Sequence, residues 1–211
     1  MGHNYGMDVK LDPFSKMRLA IKATPATRSS DFDLDPAFLA KLPNNRVLKP
    51  ASVLIPMIER RAGIQVILTR RSGSMAHHPG QVAFPGGKVD PMDASSKDTA
   101  LREAEEEIGL PRHNVEIIGK TGTHETVTQF CVTPYLGIVH TDFRPVAEPR
   151  EVAEIFEVPL DFLMQPDNFK IHSRPWLGKN RSYLAVPYGP HFIWGATARI
   201  IKNLADRLQL L

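Results

Sequence analysis

Four glutamates, Glu103, Glu105, Glu106 and Glu107, stand within five positions behind Arg102 in the stretch FPGGKVDPMDASSKDTALREAEEEIGL, residues 84–110. Leu101, Ala104 and Ile108 recur at i, i+3 and i+7, which predicts a helix over about 97–108. Ser95 or Asp98 is placed to cap its start, and Gly109 to end it in a left-handed conformation. On such a helix Glu103, Glu106 and Glu107 share one face. Glu105 lies roughly 200° from Glu103 at ~100° per residue. The apolar stripe must be covered, so the helix has to lie on a sheet. Three carboxylates on one face repel one another, and Arg102, four residues before Glu106, offsets only part of that. Two explanations compete: a solvated acidic face, or a set of hard oxygen donors for divalent cations, which prefer carboxylates. The Gly86-Gly87 pair just upstream lets the backbone turn sharply and approach a ligand closely.

The rest of the chain supplies that sheet. ASVLIPMIER, IQVILTRR and GQVAFPG are rich in β-branched residues, and IERRAGIQVIL reads as a hairpin turning at Arg61-Ala62-Gly63. Further strands are expected at VEIIGKTGTHET, QFCVTPYLGIVH and EIFEVPL, with a late pair at RSYLAVPYG and HFIWG. PLDFLMQP suggests a short helix, and GATARIIKNLADRLQLL a closing amphipathic helix with Ile200, Ile201, Leu204, Leu208 and Leu211 near one face. Residues 1–49, rich in Pro, Asp, Ser and Asn, read as an extension packing on the core. FSKMRLAIKA and DPAFLAKL are its two helical patches. Residues 50–211 then form one α/β domain.

A formal charge of +3 permits an acidic small-molecule substrate but is too weak to argue for nucleic acid. The single cysteine, Cys131, excludes an internal disulfide and reads as a core thiol. No run approaches ~18 apolar residues and MGHNYGMDVKLDPF lacks a signal-peptide core, so no membrane segment is expected and the location is read as cytoplasmic. The Met-Gly start has Gly6 where a myristoylation signal carries Ser or Thr.

The glycine pair and the acidic helix together resemble the signature of the Nudix hydrolases, G-x5-E-x7-R-E-U-x-E-E-x-G-U with U aliphatic. Gly87 matches its first glycine, and Arg102, Glu103, Ala104, Glu106, Glu107, Gly109 and Leu110 match its second half in order. Two departures stand out. Asp93 occupies the position of the first Glu, and eight residues rather than seven separate it from Arg102. Leu68, Thr69, Arg71, Ser72, His78, Gly80, Phe84, Pro85, Gly86 and Gly87 also resemble a second signature, that of the coenzyme A pyrophosphatase branch. VTPYLG, EVAEIFEVPL and IWGATA extend the likeness, so it covers about residues 50–205.

The resemblance implies an α/β/α sandwich around a mixed sheet. It implies hydrolysis of the diphosphate of coenzyme A or its thioesters, with Mg²⁺ or Mn²⁺. On that reading Glu103 and Glu107 are the main metal ligands, Glu106 shares or bridges a metal, and Arg102 orients a carboxylate. Gly86 and Gly87 shape the phosphate loop, while Arg70, Arg71 and His78 bind substrate. The general base is sought in VAEPREVAEIFEVP among Glu148, Glu151 and Glu154, with Glu151 first. A homodimer is a family expectation. The alternatives are a Nudix hydrolase of another nucleoside diphosphate derivative, such as ADP-ribose, a dinucleotide or a nucleoside triphosphate, and a non-catalytic ligand-binding regulator. Elsewhere, His77-His78 lacks the second cluster that a zinc site needs. His124 reads more readily as a satisfied strand histidine than as a pocket residue. Trp176 and Trp194 read as packing residues. SRPWLGKNRSY is either a pocket lining or a solvated loop.

Overall fold

The computed structural model describes residues 14–209, apart from 24, 44, 76, 141, 142 and 177, and without the side chains of Trp176 and Lys179. The expectations placed on residues 1–13, on the Trp176 side chain and on Leu211 lie outside the described residues. In chain order the elements are α1 (Ser15–Ala23), β1 (Ser29–Ser30), α2 (Pro36–Leu39), β2 (Lys49–Arg60), β3 (Gly63–Arg71), β4 (Val82–Ala83), β5 (Gly86–Lys88) and α3 (Ser96–Ile108). There follow β6 (Val115–Lys120), β7 (His124–Glu125), β8 (Phe130–Val139), β9 (Val152–Pro159), α4 (Leu160–Met164), β10 (Lys170–Trp176), β11 (Lys179–Tyr188), β12 (His191–Trp194) and α5 (Ala196–Gln209).

Among the described residues nine strands form one mixed sheet, ordered β1-β7-β8-β2-β3-β4, with β5 on β2, β6 on β8 and β9 on β3. The pairs β2–β8 and β1–β7 are parallel, the others antiparallel. The sheet's centre is buried on both faces because β2 and β3 are apolar at successive positions. Leu54, Ile58 and Ile67 pack with Ala100, Ala104 and Ile108 of α3. Ile55, Met57, Val66 and Leu68 turn the other way, toward Ile200, Ile201 and Leu204 of α5 and Met17 of α1. This is the α/β/α sandwich around a mixed sheet that the sequence led us to expect. Burying each large aliphatic side chain contributes about 1.5–3 kcal/mol.

Pro56 lies in this central strand, where a missing N–H usually breaks a ladder. Here it falls where β2 changes partner, from β5 opposite Ala51–Val53 to β3 opposite Met57–Arg60. The Leu54 N–H, two residues back on the same edge, donates to Pro85 O at 2.9 Å.

A second sheet, β10-β11-β12, joins through Leu184, Val186 and Ile193. Its first strand was not foreseen: SRPWLGKNRSY is part of a β-hairpin, with Trp176 opposite Lys179. The pattern was hidden by Pro175 and by exposed residues on both faces, Ile171 among them. Cys131 is half-buried on β8 rather than enclosed in the core. Phe14, Met17 and Ala20 are buried, and the Arg207 guanidinium of α5 donates to Ile21 O at 2.7 Å and Lys120 O at 3.0 Å.

Candidate active site

Helix α3 begins at Ser95, whose hydroxyl accepts from the Asp98 N–H at 3.3 Å, and ends at Gly109 with φ 68°. Its last carbonyls are met by a returning loop: Val146 N–H donates to Ile108 O and Glu148 N–H to Glu107 O, both at 3.0 Å. The same loop carries Glu151 past the end of the helix.

Arg102 organises the acidic face. It clasps Asp93 bidentately, Nε to Oδ1 at 2.9 Å and Nη2 to Oδ2 at 3.0 Å, while Nη1 donates to Glu103 at 3.0 Å and Glu106 at 2.9 Å. Asp93 also accepts from Thr99 Oγ1 at 2.8 Å and from the Asp90 N–H at 2.9 Å. Arg102 foremost, against a smaller opposing effect of burial, holds the Asp93 carboxyl far below its ordinary range. The residue standing in for the box's first Glu thus anchors the loop and its arginine.

Gly86 and Gly87 meet this face. A Cβ at Gly87 would overlap the Glu103 carboxylate, and one at Gly86 would overlap the Ser52 carbonyl and Val53. The Gly86 N–H donates to Glu107 Oε2 at 3.3 Å. Glu107 is 4% exposed. Burial, then the Glu103 charge, push its carboxyl up to about 8, against the Gly86 N–H and Arg71, with Glu151 adding to the rise. Glu103 is raised as well, by burial first and by Glu106 and Glu151, with Arg102 opposing. Glu103, Glu107, Glu151 and Arg71 therefore sit within electrostatic reach of one another.

Glu106 differs. Its side chain is 57% exposed and turned to Arg102. Among the described residues no three His, Cys, Asp or Glu side chains converge on one ion-sized point. The helical spacing puts three carboxylates on one face, but the Arg102 fork draws the outermost away. The chemistry still suits a hard dication: two crowded, desolvated carboxylates against a glycine cradle, whose mutual repulsion a bound cation would relieve.

From Gly86-Gly87 a cleft of about 670 Å³ runs across the sheet. Arg71 lines it from the end of β3, His77 and His78 from the β3–β4 loop, Lys49 and Lys88 from β2 and β5, and Arg174 and Arg181 from the β10–β11 hairpin. Phe84, Phe130, Tyr183 and Trp194 give it aromatic walls, and among the described residues Asp31 is its one acidic lining residue. His78 holds φ 55°, a left-handed conformation unusual for a side-chain-bearing residue. Burial, then the Arg71 charge, lower its pKa.

Arg70 and Arg71 separate. A register shift against β9 falls between them. Arg70 pairs with Glu154 at 2.9 Å, and Arg71 lines the cleft. Of the base candidates, Glu148 pairs with Arg150 at 3.7 Å, Glu154 with Arg70, and Glu151 adds its charge to the Glu103–Glu107 pair. His124 is fully buried, with Ser29 Oγ 2.9 Å from Nδ1 and Asp31 Oδ1 3.3 Å from Nε2. Both contacts are met when the Ser29 hydroxyl donates to Nδ1 and Nε2–H donates to Asp31. These are the residue types of a hydrolytic triad, but the Ser29 hydroxyl is spent inside the wall.

Sequence reasoning left Asp31, Lys49, Lys88 and Phe130 unassigned. Trp194, read as packing, stands in the wall with the Arg174 guanidinium over its ring at 4.7 Å. The usable signal was the basic-aromatic composition of SRPWLGKNRSY.

A model of the NUDIX domain matches residues 48–178. Over 162 residues the chain is 43% identical to a protein of Enterobacter sp. (strain 638) named Uncharacterized Nudix hydrolase NudL, covering 77% of this chain and 84% of that one. A protein of the same name from Photorhabdus laumondii subsp. laumondii is 39% identical over 167 residues, 79% of this chain and 87% of that one. The solved NUDIX domain of Shewanella oneidensis NrtR, complexed with ADP ribose, shares the fold at TM-score 0.50 and 15% identity, over 82% of this chain and 98% of that one. With Glu103 and Glu107 set against a glycine pair that lines a cationic cleft, and a family match over most of the chain, this protein belongs to the Nudix hydrolase family.

Proposed function

We propose that the protein hydrolyses the diphosphate linkage of coenzyme A or its thioesters, giving 3′,5′-ADP and 4′-phosphopantetheine or its acyl form. The observation that carries this reading is the joining of the Glu103–Glu107 pair and Gly86-Gly87 to a large cleft lined by cations and aromatic rings. Such a lining suits a polyanionic nucleotide with a flat base. The branch-signature residues Arg71 and His78 both line it.

Nudix hydrolases generally use divalent ions such as Mg²⁺ or Mn²⁺. When bound, such an ion neutralises phosphoryl oxygens and makes water a stronger nucleophile. Glu103 and Glu107 would hold it, with Glu106 joining when its pair to Arg102 opens. Arg102 positions Glu103. Gly86 and Gly87 let the diphosphate approach the backbone closely, and Arg71 donates to its oxygens. Glu151 takes the proton of the attacking water as the new P–O bond forms and the bridging oxygen leaves with the departing phosphate. The reading extends to a cytoplasmic homodimer, which fractionation and sedimentation test.

The deciding experiment incubates the protein with coenzyme A and Mg²⁺ or Mn²⁺, beside ADP-ribose, and identifies products by mass. 3′,5′-ADP and 4′-phosphopantetheine are expected. Brisk turnover of ADP-ribose with little of coenzyme A would move the assignment to another nucleoside diphosphate derivative. Ligand binding without hydrolysis in either metal would make the protein a binding module.

A further inference from the structure

Arg174 and Arg181 stand directly opposite each other in the β10–β11 ladder. Opposed residues of an antiparallel pair project to one face, and like charges there are destabilising. Both side chains line the cleft. Each guanidinium has its own surroundings, and that of Arg181 also covers the Phe32 ring at 5.5 Å. The Arg181 guanidinium donates to the Asp31 backbone oxygen at 3.1 Å and lies 3.7 Å from the Asp31 carboxylate. That carboxylate is also engaged by His124 and by the Val127 N–H at 2.8 Å. Arg174 is exposed, and its guanidinium covers the Trp194 ring at 4.7 Å and the Tyr183 ring at 6.0 Å. Those two rings meet edge to face at 5.3 Å, so the platform beneath the guanidinium is braced.

The diphosphate to be cut has its own cation in Arg71, beside Glu107 and near the glycine pair. The hairpin arginines are additional to it, on a different sheet, and an opposed arginine pair offers two forks to one phosphate. We propose that Arg174 and Arg181, on their Trp194–Tyr183 platform, form a subsite for a phosphomonoester of the substrate, separate from the diphosphate that is cleaved. The proposal rests on reading the cleft as a nucleotide site. For coenzyme A the group is the 3′-phosphate.

Calorimetry with adenosine 3′,5′-bisphosphate and with AMP tests this without turnover. The wild-type protein should bind the bisphosphate roughly tenfold or more tightly than AMP, the scale of one charge-assisted contact set. Arg174→Gln and Arg181→Gln should each bring the two affinities to within about twofold, with AMP binding itself little changed. Equal wild-type affinities, or variants that keep the preference, would overturn the subsite. Arg174 is on the rim, so its variant carries the test if Arg181→Gln does not fold. If coenzyme A is not hydrolysed but the preference is present, the proposed function falls and the subsite stands. If coenzyme A is hydrolysed without any preference, the reverse holds.

Discussion

The two ends of the cleft are built by opposite means. The acidic end comes mainly from one contiguous stretch, residues 84–110, in which helix geometry and a glycine pair place Glu103 and Glu107, with Glu151 added from a distant loop. The basic end is assembled from Asp31, Lys49, Arg174 and Arg181, which a sheet edge, a central strand and a hairpin bring together. At the first end like charges are crowded and buried, and a carboxyl answers by holding its proton. At the second, like charges are spread over aromatic faces and shared with one buried carboxylate. On the proposed reading, the crowded acids are the end that takes a dication and the spread cations are the end that takes an anion.

The comparison breaks most sharply at Glu107. Glu107→Gln should lower kcat by roughly a thousandfold or more, several kcal/mol of lost charge stabilisation. At pH 5 the melting temperature should stay near that of wild type, because the amide keeps the acceptor for the Gly86 N–H and stands in for a buried acid that is protonated there. Retained turnover would show that the acidic end is not the chemical end. The same group sets a pH dependence. Its carboxyl is raised to about 8 in the fold, so the folded state binds a proton that the unfolded chain releases near 4.5. Metal-free stability from this group is therefore fully present below about 4.5 and declines as pH rises toward 8. Thermal melts from pH 5 to 8 should show that fall, and Glu107→Gln should flatten it.

Gly87→Ala comes next. Its Cβ must displace the Glu103 carboxylate, and a misplacement of about 1 Å in a catalytic group costs on the order of 100-fold in rate. Steady-state rates with unchanged far-ultraviolet dichroism would show it, and near-wild-type activity would mean that the cradle is looser than drawn. Asp31→Ala is the smallest. It strips partners from His124 and the Val127 N–H and removes the Arg181 counter-charge. Burial works against the Asp31 charge, but His124, the Val127 N–H and Arg181 overcome it and hold the carboxyl below its usual range. The loss should be about 2 kcal/mol, a fall in Tm of roughly 4–8 °C, read by calorimetry. An unchanged Tm would detach residues 29–31 from the wall.

Much of the fold was legible because its elements follow local rules. Apolar spacing marked α3 and α5, Asp35 before Pro36 marked α2, and β-branched runs marked β2, β3 and β8. The hairpin strand β10 was missed because its described side chains, Lys170 to Pro175, are exposed on both faces and leave no alternation of apolar and polar residues to read. Within the site, the spacing of Glu103 and Glu107 was readable and the outward turn of Glu106 was not, since that depends on how Arg102 divides its donors between Asp93, Glu103 and Glu106.

By itself the sequence determined the acidic helix, its start near Ser95 or Asp98, its end at Gly109 and the glycines before it. Backbone geometry fixes those relations over a few residues, whatever surrounds them. Only the tertiary structure decided that Arg71 rather than Arg70 lines the cleft, that Glu151 joins the acids, and that Asp31 and two hairpin arginines build the far wall. Each of these depends on strand register between distant segments, and a shift of one residue in register turns a side chain to the opposite face.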